Sequence, residues 1–170
     1  MIITNHSKNS NIPNFNKSNH IRSNITKTTY PSGDIFYGVL TKTHNLKQDF
    51  GELHTSDNKV IIGEWDLDQL NGVGIITESS GKQTLSIFSK GLKNGIGEIK
   101  IKGRIYRGEF KGNKRTGLGM FVDNQIEVRK GYFVDGEHQG YGEVEIKSTG
   151  NLYKGNFEKG KPSGVGLEET

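Results

Sequence analysis

The chain has 170 residues, no cysteine, 24 glycines, 31% hydrophobic residues and a formal net charge of +4. Without cysteine there is no disulfide framework, thiolate metal site or cysteine nucleophile, and no apolar run approaches the ~20 residues of a membrane span. The charge is unevenly placed: residues 1–30 hold Lys8, Lys17, Arg22 and Lys27 and no acid, while residues 31–170 hold 19 basic and 19 acidic side chains.

Residues 1–30 contain seven asparagines, many Ser and Thr and no Gly. Such a segment buries too little apolar surface to offset its ordering entropy, which predicts a disordered basic tail ahead of a folded region over 31–170. Met1-Ile2-Ile3 is too short for the core of a secretory signal, and a single Arg with no amphipathic period disfavours a transit peptide. The expected compartment is the cytoplasm, with the nucleus also open. Residues 33–54 read as a divergent first hairpin, with Phe36-Tyr37-Gly38-Val39-Leu40 facing Phe50-Gly51-Glu52-Leu53. Asp49 stands there where the later units place a glycine.

From residue 61 onward one pattern recurs, at 61–76, 85–101, 106–121, 130–146 and 153–168. In its clearest copy Tyr106, Gly108 and Phe110 alternate with Arg107 and Glu109, the period of a strand with one apolar face. A polar connection follows, and Gly117-Leu118-Gly119 opens a second strand. The glycine pairs fall at Gly72/Gly74, Gly95/Gly97, Gly117/Gly119, Gly140/Gly142 and Gly164/Gly166, in steps of 23, 22, 23 and 24 residues. A fixed period of this length marks a repeat array. In the 85–101 copy Ser86 replaces the first-strand glycine. Turn residues such as Asp57-Asn58, Ser80-Gly81, Lys102-Gly103, Asp123-Asn124 and Thr149-Gly150 separate the units. The expected fold is all-β: a single-layer antiparallel meander of about twelve strands, ~55 Å long at ~4.8 Å per strand. Trp65, Phe88, Tyr106, Phe110, Phe133, Tyr153 and Phe157 share one face with the glycines. A ring of that size needs a flat floor, which the paired glycines supply, and together they predict a long aromatic- and glycine-lined groove.

The unit Y-x-G-x-[FW]-x-x-G-x-x-x-G-x-G resembles the MORN repeat (membrane occupation and recognition nexus) over about residues 33–170. The family's usual histidine before the glycine pair is replaced by Asn71, Asn94, Thr116, Gln139 and Ser163, and His138 stands one position earlier. The resemblance implies a partner-docking or scaffolding module, often in cytoskeletal or ciliary assemblies.

Signals for chemistry are weak. Ser56-Asp57-Asn58-Lys59 matches two penicillin-binding motifs collapsed into one turn. Asp66, Asp68 and Asn71 miss calcium-loop spacing. His44 and His54 of the first unit and His138 of a later one have no metal-ligand or nucleophile–base spacing. No enzyme activity, metal or cofactor is expected. The remaining signal is charge along the array: −5 over residues 34–78, +8 over 82–115 and −3 over 123–170. Lys90, Lys93, Lys111, Lys114 and Arg115 fall in within-unit connections and predict a basic rim, flanked by Asp66 and Asp68 on one side and Asp135 and Glu137 on the other. Protein partners binding through the groove or this rim are the leading expectation. Peripheral binding to anionic phospholipid membranes through the rim and tail is the alternative, and nucleic acid is disfavoured because the repeats are neutral overall. A weak homodimer through residues 153–170 is also expected, because the last strand looks short and uncovered.

Overall fold

The computed structural model describes residues 25–170, and the tail expected over the residues before these lies outside the described residues. One sheet of thirteen strands runs in sequence order, each strand antiparallel to the next. The strands are β1 (Thr26–Thr29), β2 (Ile35–Leu40), β3 (Lys47–His54), β4 (Val60–Asp66), β5 (Gln69–Thr77), β6 (Gln83–Ser89), β7 (Leu92–Ile101), β8 (Arg104–Lys111), β9 (Lys114–Asp123), β10 (Glu127–Val134), β11 (Glu137–Ile146), β12 (Leu152–Glu158) and β13 (Lys161–Glu169). Among the described residues there is no helix. Strands β2 to β13 form six hairpins, one per sequence unit.

Two details differ from the sequence expectation. Thr26–Thr29, assigned above to the tail, is a strand that pairs with Ile35–Gly38 and covers the first hairpin's edge. Its Thr residues suit a strand, and β2 offers it an open ladder. The last strand is not short: β13 has nine residues and pairs with β12 from Lys161 to Glu169.

Each hairpin is built around a directly opposed pair: Gly38↔Gly51, Gly63↔Gly74, Ser86↔Gly97, Gly108↔Gly119, Gly131↔Gly142 and Gly155↔Gly166. Immediately beyond that pair the register shifts in every hairpin, so the second strand bulges. The two glycines of each sequence motif therefore serve different ends. The first sits in the bulge at positive φ, as at Gly117 (58°), Gly140 (68°) and Gly164 (73°). Asp49, at the same place in the first hairpin, has φ 59°, so the backbone demand survives there without glycine. Only the second glycine is floor. A Cβ on Gly119 would lie 2.5 Å from the Tyr106 hydroxyl, and one on Gly108 2.6 Å from it.

The floor is covered in two ways. Phe36, Tyr106 and Tyr153, two residues before the first-strand glycine, lie over their own glycine pairs. Where that position holds Ile61 or Arg129, the residue just after the turn fills in: Leu70 covers Gly63 and Gly74, and His138 covers Gly131 and Gly142. In the third hairpin the Ser86 hydroxyl occupies the space and donates to the Ile87 and Ile96 carbonyls at 3.2 and 3.4 Å. Rings from successive hairpins then meet edge to face or stacked. Tyr106 contacts Phe110 and Phe133 at 5.2 and 5.3 Å, and His138 is stacked between Phe133 and Phe157 at 5.2 and 4.0 Å. Phe36 meets Trp65 at 5.8 Å, and the Trp65 indole donates to the Gly51 carbonyl at 3.1 Å. Turns lock the hairpins together at the same end: the N–H of Gly91, Asn113, Gly136 and Gly160 donates to the carbonyl of Leu70, Lys93, Arg115 and His138 respectively.

Substitutions at a glycine motif separate its two roles. In the fifth hairpin, Gly140 has open space around it and needs only its left-handed backbone, which Asn or Asp tolerates. Gly140→Asn is expected to cost under ~1 kcal/mol and Gly140→Ala about 1–2 kcal/mol. Gly142→Ala drives a methyl group into His138 and is expected to cost ~1–3 kcal/mol. Urea unfolding of the three variants tests this, and a loss for Gly140→Asn as large as that for Gly142→Ala would contradict it.

His138 generates a pH dependence. Its ring is 2% exposed and neither nitrogen has a hydrogen-bond partner among the described residues. Burial, with nearby Arg129 adding to it, pushes its pKa below the ordinary histidine value, against smaller opposing effects of the nearby Lys130 backbone and of Glu127. The unfolded chain therefore takes up this proton first. The contribution is complete above about pH 6.5 and is lost as pH falls below it toward the depressed folded-state value. His138→Leu, which copies Leu70, is expected to flatten the stability profile between about pH 7.5 and 5. A wild-type melting temperature constant over that range would refute this account.

Candidate functional site

The opposed glycines divide the sheet into two unlike faces. On the ring face stand the glycines and the aromatics expected to line a groove. Trp65, Phe88, Tyr106, Phe110, Phe133 and Phe157 are buried there and Tyr153 is partly buried. They pack on one another and on the glycines, so this face is closed by its own side chains rather than open as a groove. Tyr106 shows the consequence: its hydroxyl donates to the Glu109 carbonyl at 3.2 Å, and burial pushes its pKa up to about 12. A hollow of about 310 Å³ remains at the C-terminal end, between Arg129, Val144, Tyr153, Phe157, Pro162 and Glu168. Arg129 in it is already engaged by the Glu127 carboxylate at 2.6 and 2.9 Å and by the Gly160 carbonyl.

The five cations of the expected rim all lie at the turn end but do not act alike. The Lys93 ammonium sits 5.8 Å from the Phe110 ring centre and 3.1 Å from Asn113 Oδ1, and burial lowers its pKa. Arg115 lies among Tyr106, Phe121 and Phe133 with its guanidinium 5.3–5.7 Å from their ring centres. Both occupy the position filled elsewhere by Lys47, Leu70 and His138, and their task there is to cap rings. Lys114 is ion-paired to Asp135 at 3.0 Å. Lys90 and Lys111 remain exposed. The expected acidic flanks are likewise engaged in part, since Asp68 accepts from both the backbone N–H and the ammonium of Lys47 at 2.8 Å.

The opposite face, here called the open face, carries a feature the sequence reading passed over. The residue between the two glycines of each motif is apolar in all six hairpins: Phe50, Val73, Ile96, Leu118, Tyr141 and Val165. The bulge lifts each one toward solvent, and their exposure runs from 52% to 95%. At two strands per hairpin they form a stripe with a spacing of about 10 Å along the array. The first five pair across to the next hairpin: Phe50↔Glu64, Val73↔Ile87, Ile96↔Glu109, Leu118↔Tyr132 and Tyr141↔Asn156. The pattern is legible in the sequence once the x of each G-x-G is tabulated, but only the bulge explains why these residues stand out. Among the described residues no helix is long and apolar enough to cross a membrane, and no three His, Asp or Glu residues are grouped to hold a metal ion.

Comparison with known proteins agrees with this architecture. The family description "MORN repeat" matches residues 62–82, 106–124 and 153–169, which are the second, fourth and sixth hairpins. The chain is also similar to Alsin of Mus musculus, Pan troglodytes and Homo sapiens, at 30% identity over 86 residues. The matched stretch covers 47% of this chain and 5% of each of those relatives. The unmatched hairpins repeat the same opposed glycine or serine pair and the same bulge, so the three stretches that match the MORN repeat lie within one continuous array of like hairpins.

Proposed function

We propose that the chain is a non-catalytic docking module that holds protein partners against its open face. The observation carrying this reading is the stripe of six exposed apolar residues, one per hairpin, on a sheet whose other face is occupied by its own rings. Monomeric proteins rarely leave contiguous apolar surface in water unless it meets a partner. A single-layer sheet built from repeats also offers an extended surface, which is how repeat arrays bind.

Binding to anionic membranes through the rim is the weaker reading. Lys93 and Arg115 are committed to rings and Lys114 to Asp135, leaving Lys90 and Lys111. At ~1 kcal/mol per basic residue near an anionic surface, two residues supply about 2 kcal/mol, so stable attachment would have to recruit the basic tail as well.

Affinity capture with the full chain tests the docking reading. Leu118→Asp with Tyr141→Asp, and separately Val73→Asp with Ile96→Asp, are expected to lose the proteins retained by the wild type while keeping its melting temperature. Lys90→Glu with Lys111→Glu is expected to retain them. Partners that survive both open-face variants would exclude that face. Salt-sensitive sedimentation with anionic liposomes that is lost on the Lys90/Lys111 reversal would favour the membrane reading instead.

A further inference from the structure

The stripe broadens at β4–β7 into an aliphatic patch. Ile62, Ile75 and Leu85 are cross-strand neighbours in one row, Val73 and Ile87 are neighbours in the next, and Ile96 stands in the adjoining bulge. Five of the six are exposed, from 44% for Ile75 and Ile87 to 68% for Ile96. Val73, Leu85, Ile87 and Ile96 line one shallow depression together with Glu98 and Arg107.

Acidic side chains outnumber basic ones among the cross-strand neighbours of the patch on the open face. Glu52 lies across from Ile62, Glu64 across from Phe50, and Glu109 across from Ile96. None of these three carboxylates is ion-paired to a lysine or arginine among the described residues. Glu52 meets only His54, while Glu64 and Glu109 accept from the backbone N–H of Val73 and Leu118 at their bulges. The cations beside it, Lys100 and Arg107, share the single Glu98 carboxylate, which leaves one positive charge against the three acids. An acidic surround repels an anionic lipid surface and nucleic acid. It also opposes a second copy laid on the same patch, because a two-fold contact sets like charges against like.

Backbone chemistry narrows the occupant further. β4–β7 are interior strands whose ladders are already paired on both sides. An added strand would find no backbone partners here, and its own N–H and C=O groups would be buried unsatisfied. A helix satisfies its backbone internally. Building on the docking reading above, we propose that the β4–β7 patch binds a cationic amphipathic helix of a partner protein. Its apolar side chains seat on Ile75, Leu85, Ile87 and Ile96, and its Lys or Arg residues reach Glu52, Glu64 and Glu109. The patch spans three inter-strand steps, ~14 Å, which matches between two and three helical turns.

The probe is a fluorescent 18-residue synthetic helix with a leucine stripe flanked by lysines, titrated with the full chain and followed by anisotropy. Its counterpart has the same stripe flanked by glutamates. Binding of the lysine peptide at least tenfold tighter than the glutamate peptide is expected. Ile87→Thr with Ile96→Thr, which keeps β-branched residues in the strands, is expected to weaken it at least tenfold. So is the Glu52→Gln, Glu64→Gln, Glu109→Gln triple, in which the amide oxygens can still cap the bulges. Melting temperatures within a few degrees of the wild type establish that both variants are folded. Absence of binding, equal binding of the two peptides, or affinities unchanged by either variant would overturn the proposal. A dimer in sedimentation that the Ile87/Ile96 variant abolishes would assign the patch to a second copy. A tenfold gain in peptide affinity on removing residues 1–24 would assign it to this chain's own N-terminal segment. Either outcome defeats the partner helix while leaving the broader docking reading to the Leu118/Tyr141 capture experiment.

Discussion

The structure depends on the fit of one covering side chain over two opposed glycines. A single-layer sheet has no second layer to bury its apolar residues against, so each hairpin must supply its own cover. Removing two Cβ atoms at facing positions lets a ring or an isobutyl group lie flat on bare backbone. Phe36, Tyr106 and Tyr153 do so from the first strand, and Leu70 and His138 from the second. The bulge beyond the glycine pair sets where the residue after the turn falls. When the first-strand position carries no ring, the second-strand residue is already placed to replace it. The array thus tolerates sequence drift at either position, provided one of the two remains large.

Because the hairpins share rings across their boundaries, stability belongs to neighbours rather than to units. His138 is held by Phe133 of its own hairpin and Phe157 of the next. The turn-to-turn hydrogen bonds add a second coupling at one end of the strands. Basic residues that look like a ligand-binding rim in the sequence are drawn into this coupling. Lys93 and Arg115 cap rings with their cations, and their charge is partly removed from solvent.

Closing one face leaves the other as the proposed docking surface. The same bulge that places the covering side chain forces the residue between the glycines outward, so one backbone device produces both the packed face and the exposed stripe. A polar residue there would cost the fold little, yet all six positions are apolar. That is the physical ground for proposing that this face meets partners, and the carboxylates around β4–β7 are the ground for proposing a cationic one.

The repeat period, the six hairpins, the open all-β sheet and the glycine–aromatic partnership were all determined by the sequence alone. They follow from alternation, turn residues and glycine spacing, which are local. Three matters were decided only by tertiary structure. The two glycines of a motif look equivalent in a string, but the register shift assigns one to φ and the other to the floor; Asp49 at φ 59° makes the distinction visible. The aromatic groove expected from the pattern proved to be a filled core, because whether rings face solvent or one another depends on contacts between hairpins. The fate of the cations and of His138 was equally hidden. A lysine after a turn can extend into water or fold back over a neighbouring ring, and that choice is made by residues about twenty positions away in the chain.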